Sequence, residues 1–124
     1  MPEIYFKEES YRIIGVCMRV HSMLGPGFLE SVYQEAVEKE FIKEGIPYVR
    51  EKVLRIQFGD EMLDKSFRVD FLCYGEILLE LKAVKFLLPV FTDILLNYVK
   101  ASGKKLGILA NFGEQSLKYK RIVN

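Results

Sequence analysis

Three consecutive stretches rich in β-branched and aromatic residues, joined by connections too short to hold a helix, constrain this chain most. They are Val49 to Phe58, Met62 to Cys73 and Ile77 to Lys82. Gly59-Asp60 marks a turn after the first, and Tyr74-Gly75-Glu76 makes a tight connection after the second. Two helical patterns come before them. Ile13, Ile14, Val16, Cys17, Val20 and Leu24 have the spacing of an amphipathic helix over residues 11 to 24, with Ser10 as its expected N-cap. Gly25-Pro26-Gly27 breaks it. Leu29, Val32, Tyr33, Ala36, Val37, Phe41 and Ile42 form the second pattern, with Gly45 as C-cap and Pro47 preventing its resumption. After the strands, Pro89 opens a helical pattern over Val90 to Ser102, closed by Gly103. Leu106 to Asn111 reads as a buried strand. Leu117 to Val123 reads as a last strand at a sheet edge, because its lysines suit one. The order is α, α, β, β, β, α, β, β, which predicts an α/β fold with one sheet flanked by helices.

The chain has 124 residues, half of them hydrophobic, with a net charge of +1. That is enough for one domain, residues 1–124, with its own core and no need of staples. The near-neutral charge argues against a dedicated nucleic-acid coat, which would push the pI above about 9. The charges are unevenly spread, with Glu3, Glu8 and Glu9 at the start. From Lys100 onward there are Lys100, Lys104, Lys105, Lys118, Lys120 and Arg121 against Glu114 alone. Such a basic segment suits phosphates and a solvated surface about equally. Cys17 and Cys73 lie in apolar runs without metal-like spacing, the pattern of buried reduced thiols. No apolar run approaches the roughly 20 residues that span a membrane. The first residues lack the cationic region of a signal peptide. The expectation is a cytoplasmic protein.

The most informative segment runs from Arg68 to Lys82. Side chains alternate between the faces of a strand, so Glu80 and Lys82 share one face and Leu79 and Leu81 the other. A three-residue loop, Tyr74-Gly75-Glu76, would set Cys73 opposite Ile77 and Asp70 opposite Glu80. A two-residue loop would set Asp70 opposite Leu79 and scatter the patch. Two carboxylates facing each other repel, so a bound cation, Lys82 or a raised pKa must offset the repulsion. Two carboxylates and water suit Mg²⁺, and Lys82 could orient a water or stabilise charge on a phosphate. A surface salt bridge from Lys82 to either acid would use the same residues.

Asp70 followed by Glu80-Leu81-Lys82 on consecutive strands resembles the PD-(D/E)XK nuclease signature. The flanking sequence is similar to one group in that superfamily, the small GxxExxY proteins. Gly27, Glu30 and Tyr33 match the namesake motif. Arg68 to Leu72, Glu80 to Val84, Leu95 to Tyr98, Leu106 to Phe112 and Lys120 to Val123 match further blocks. The resemblance implies a restriction-endonuclease-like core with a central mixed β-sheet. It implies a nuclease acting on nucleic acid, DNA in the first place, with Mg²⁺ or Mn²⁺ as cofactor. Asp70, Glu80 and Glu30 would hold the metal, with the Leu81 carbonyl as a further ligand, and Lys82 would assist the attacking water. Lys100, Lys104, Lys105 and Lys120 are the candidate contacts to the nucleic-acid backbone. Cutting both strands of a duplex would favour a homodimer. One departure stands out: the family pattern has a polar His-Glu-x-Gln stretch where this chain has Phe91-Thr92-Asp93-Ile94. The competing expectation is a nuclease fold that binds nucleic acid or protein without cutting.

His21, the only histidine, has no partner at metal spacing and reads as an ordinary helix residue. Gly25-Pro26-Gly27 lacks the Gly-Lys-Ser/Thr of a phosphate loop. Tyr33 and Tyr98 read as core residues. Gln34 falls one turn beyond Glu30 and could share its face.

Overall fold

The computed structural model describes residues 4–124. Residues 1–3, and with them the acidic Glu3, lie outside the described part. Eight elements follow the expected order: α1 (Lys7–Leu24), α2 (Glu30–Glu44), β1 (Tyr48–Phe58), β2 (Glu61–Cys73), β3 (Ile77–Lys82), α3 (Pro89–Ser102), β4 (Leu106–Asn111) and β5 (Lys118–Val123). The five strands form one sheet in the order β1-β2-β3-β4-β5. Only β3 and β4 run parallel, and the other neighbouring pairs are antiparallel. A parallel pair needs a crossover, which α3 supplies. The mixed sheet flanked by helices is the expected architecture, with β5 at an edge.

The largest shift of a boundary is at the start of α1, expected near residue 11, while the strand starts move by one residue at most. α1 begins at Lys7, so Ser10 lies inside the helix rather than capping it. Its hydroxyl donates to the Lys7 carbonyl at 3.1 Å, the back-bonding habit of a helix serine. Glu8 and Glu9 sit in the first turn, where the helix dipole favours acids. α2 ends at Gly45 in the left-handed conformation, as its sequence suggested.

Each face of the sheet has its own core. α1 and α2 pack Ile13, Val16, Val37 and Phe41 against Phe71, Cys73, Ile77, Leu79, Leu81 and Ile108. α3 packs Leu95 and Val99 against Val69, Leu72, Leu78, Leu109 and Ile122 on the other face. α3 approaches closely because β4 carries Gly107, where a Cβ would lie 2.8 Å from the Val99 side chain. Cys17 and Cys73 are free and buried, and burial pushes the Cys17 thiol up to about 12. Tyr33 is buried and ties down the α1–α2 connection. Its hydroxyl donates to the Gly25 carbonyl at 2.6 Å and accepts the Phe28 N–H at 3.2 Å.

Candidate active site

The β2–β3 hairpin closes on the three-residue loop, pairing Cys73 with Ile77, Leu72 with Leu78 and Phe71 with Leu79. One step further, Asp70 stands level with Glu80, and there the backbone ladder stops. The Asp70 N–H donates to a Glu80 carboxylate oxygen at 2.7 Å. The Leu81 N–H donates to Asp70 Oδ2 at 2.8 Å. Each acid therefore accepts a bond that a strand carbonyl would otherwise take. This satisfies backbone donors in a half-buried place and points both carboxylates into the same gap.

The strands change phase at this point. Phe71 and Cys73 face α1 and α2, and regular alternation would put Val69 with them. Val69 instead packs under α3 together with Leu72. On the neighbouring strand, Arg50 Nη1 meets Glu38 of α2 at 2.8 Å, whereas Leu54 packs on the α3 side. Between Arg50 and Lys52 lies Glu51, the residue level with Asp70, held at a left-handed φ of 53°. A non-glycine residue rarely adopts that conformation. The switch of faces is thus localised beside the acid pair.

α2 brings two more groups. Gln34 Nε2 donates to Asp70 Oδ1 at 3.0 Å and lies 3.5 Å from Glu30 Oε1. Gln34 and Glu30 are four residues apart, hence on one helix face. Burial raises the carboxyl pKa of Asp70, against the opposing pull of the Leu81 and Gln34 donors. Burial likewise pushes Glu80 up to about 8, with the Asp70 charge adding to it and Lys82 opposing. Glu30 is raised by burial and then by the Asp70 charge. The charges of Asp70, Glu80, Glu30 and Lys82 therefore act on one another. Among the described residues, no three His, Cys, Asp or Glu side chains are gathered closely enough to hold an ion as they stand. The Gln34 amide, a donor, bridges two of the acids instead. The donor set itself fits a hard divalent cation: carboxylate oxygens, each made uncomfortable by burial and by the other charges.

Lys82 ends β3. Its ammonium stands 4.8 Å from the centre of the Phe91 ring, a cation–π distance. Glu80, Lys82, Phe91, Ile94, Leu95, Tyr98 and Leu109 line a cavity of about 150 Å³. Ile94 thus lines the same cavity as Glu80 and Lys82. The chain leaving Lys82 is held firmly. The Phe112 N–H donates to the Lys82 carbonyl at 2.8 Å. The fully buried Asn111 accepts the Val84 N–H and donates to the Val84 carbonyl, at 3.0 and 2.9 Å. Gly113 fits beneath, where a Cβ would lie 2.3 Å from the Val84 oxygen. Asn111 and Gln34 are the supporting residues whose roles the sequence reading did not assign. Gln34 was detectable from its spacing to Glu30, whereas nothing local marked Asn111.

The candidate lysines separate. Lys120 pairs with Leu109, which pairs with Glu80, so Lys120 is two strands from the site on the same row. Leu106 is paired with Ile77, five residues before Lys82, or roughly 17 Å along the strand. Lys104 and Lys105 precede Leu106, and Lys100 lies near the C-terminus of α3, so all three belong to the far end of the sheet. There Lys104 Nζ donates to the Gly75 carbonyl at 2.9 Å, and Lys105 Nζ lies 5.6 Å from the centre of the Tyr5 ring. His21 is buried, with Nε2 2.8 Å from the Glu114 carbonyl. Tyr98 is partly buried and stacks on Phe67 at 4.1 Å.

An acid pair and a lysine at the open end of a hairpin, in a mixed sheet with helices on both faces, define a nuclease-type fold. The chain belongs to the PD-(D/E)XK nuclease superfamily, whose family model matches residues 7–122. Among solved structures, the crystal structure of SSO0001 is similar at a TM-score of 0.60 and 16% identity. That match covers 96% of this chain and 57% of that one, so this chain spans little more than half the length of SSO0001. An alkaline exonuclease from Laribacter hongkongensis is similar at a TM-score of 0.55 and 11% identity, covering 100% of this chain and 72% of that one. Among curated protein sequences none matches this chain. No helix among the described residues is long and apolar enough to cross a membrane.

Proposed function

We propose that this chain is a metal-dependent nuclease of the GxxExxY group, hydrolysing phosphodiester bonds in nucleic acid, in the first place DNA. One observation carries the reading. Asp70 and Glu80 hold each other's strands through their carboxylates, with Lys82 on the same face two residues on. Burying that much charge costs stability, and a catalytic site is the ordinary reason to accept the cost.

Asp70, Glu80 and Glu30 would hold Mg²⁺ or Mn²⁺, with the Leu81 carbonyl beside them. When bound, the ion supplies Lewis acidity toward the phosphate and lowers the pKa of a water. The protein's own groups do the rest. Asp70 is fixed from two sides by Gln34 and by the Leu81 N–H. Glu80 is fixed through one oxygen by the Asp70 N–H. Lys82 emerges from a strand end clamped by Asn111 and Phe112. Its three N–H donors can orient a water and stabilise charge building on the phosphate oxygens.

The test is incubation of wild-type protein and Lys82→Ala with single-stranded, duplex and supercoiled DNA in Mg²⁺. Cleavage by wild type, reduced at least about a hundredfold by the substitution, is expected. Equal inertness of both proteins on every DNA form contradicts the proposal. Ile94 in the cavity beside Glu80 and Lys82 favours a second reading, a nuclease fold that binds without cutting. In that case DNA binding falls steeply with salt and no cleavage accompanies it.

A further inference from the structure

Resting on the nuclease reading, we infer that the site takes an unpaired DNA strand, with Phe86 stacking on a base and Lys85 and Lys118 holding the backbone beside it. The groove for the backbone begins where β3 and β4 end. It measures about 460 Å³ and is lined by Lys85, Gly113, Glu114, Gln115, Ser116 and Lys118. Lys118 pairs with Asn111, and Asn111 pairs with Lys82, so the groove shares a row with the catalytic lysine. Its one carboxylate is already engaged, since Asn111 Nδ2 donates to Glu114 Oε2 at 2.8 Å. Asn111 also grips both backbone groups of Val84, and Gly113 leaves no space beneath. The floor is therefore preformed, and its two cations, which have no ion-pair partner among the described residues, suit an anionic chain.

Exposed apolar residues on the segments that lead to the site supply the second half. Phe86 is 75% exposed and follows Lys85 directly. Leu88, two residues on, is 52% exposed. Phe28 and Leu29, immediately before Glu30, are exposed as well. Single exposed apolar residues need no explanation. These, however, border the charged site on both segments that lead to it, one before Glu30 and one after Lys82. An exposed aromatic ring next to cations gains most from a partner with a free π-face and a negative charge. An unpaired nucleotide offers both. A base inside a duplex has its faces covered by its neighbours, so the ring discriminates between the two forms.

The test is fluorescence anisotropy in EDTA, which measures binding without turnover. The probes are a labelled single strand of 20 thymidines and a duplex of the same length. The single strand is expected to bind more tightly. Phe86→Ala is expected to weaken single-strand binding about tenfold or more while leaving duplex binding unchanged, and Phe86→Tyr to restore it. Lys85→Ala with Lys118→Ala is expected to reduce the slope of log K against log salt by roughly 1.4, about 0.7 per lost contact. Tighter duplex binding overturns the inference, and so does single-strand binding that is indifferent to Phe86→Ala. If wild type still cleaves DNA in Mg²⁺, only this inference falls. If wild type neither binds nor cleaves any DNA, the nuclease reading falls with it, and a protein ligand for the Phe86 segment takes its place.

Discussion

At the closed end of the β2–β3 hairpin, Cys73 faces Ile77 and Leu72 faces Leu78, and all four are buried. A few residues along the same two strands, the facing pair is Asp70 and Glu80, and side-chain carboxylates accept the strand N–H groups. The two ends share a sheet and a pair of strands, but the first is buried and the second only half-buried. One end is built for cohesion. The other keeps three acids and a lysine where hydrocarbon would be more stable. The contrast separates what the fold needs from what it carries.

Substitutions that treat the two ends alike would break this contrast. The largest expected effect is at the closed end. Leu79→Ala removes a fully buried side chain and is expected to cost about 2–5 kcal/mol of stability, read as a lower denaturant midpoint. The same protein, where still folded, keeps its pattern of DNA cleavage. At the open end, Lys82→Ala is expected to cost about 10²- to 10³-fold in cleavage rate with little change in melting temperature.

Glu80→Gln sharpens the contrast through pH. Its folded-state pKa is raised from 4.5 to about 8, so the folded protein keeps a proton that the unfolded chain has already released. Between pH 4.5 and about 8 the unfolded state binds fewer protons, and stability attributable to Glu80 falls as pH rises through that window. Thermal unfolding should therefore show Glu80→Gln more stable than wild type at pH 8.5, by on the order of 1 kcal/mol or more. The advantage should be gone at pH 4. Because a metal must displace that proton, Mg²⁺ affinity of wild type is expected to increase from pH 6 to pH 9. The smallest effect concerns Gln34. Gln34→Ala removes a donor from Asp70 and is expected to cost about 1 kcal/mol.

The closed end was legible because a tight loop containing Gly75 determines which residues face each other. From that register, Asp70 opposite Glu80 followed, and with it the shared face of Lys82. Glu30 was placed by resemblance, since spacing cannot tell which helix will lie across an acid pair. The change of phase at Glu51 and Asp70 left no mark, because Glu51 is an ordinary residue in an unusual backbone conformation. A run such as Gly103-Lys104-Lys105 records charge but not which end of a strand it will occupy. The three-dimensional order put Lys85 and Lys118 near the site and that pair far from it. Ser10 misled for a local reason. Its side chain suits a cap, but the helix had already begun at Lys7, with acids in its first turn.

The most direct measurement is anomalous X-ray scattering from crystals soaked in Mn²⁺, with Asp70→Asn as the comparison. A nuclease of this class should give a peak in the gap between Asp70 and Glu80, within reach of Glu30 and the Leu81 carbonyl, and lose it in the variant. No peak there at saturating Mn²⁺, in crystals whose Asp70 and Glu80 side chains are well ordered, would contradict the metal-dependent site.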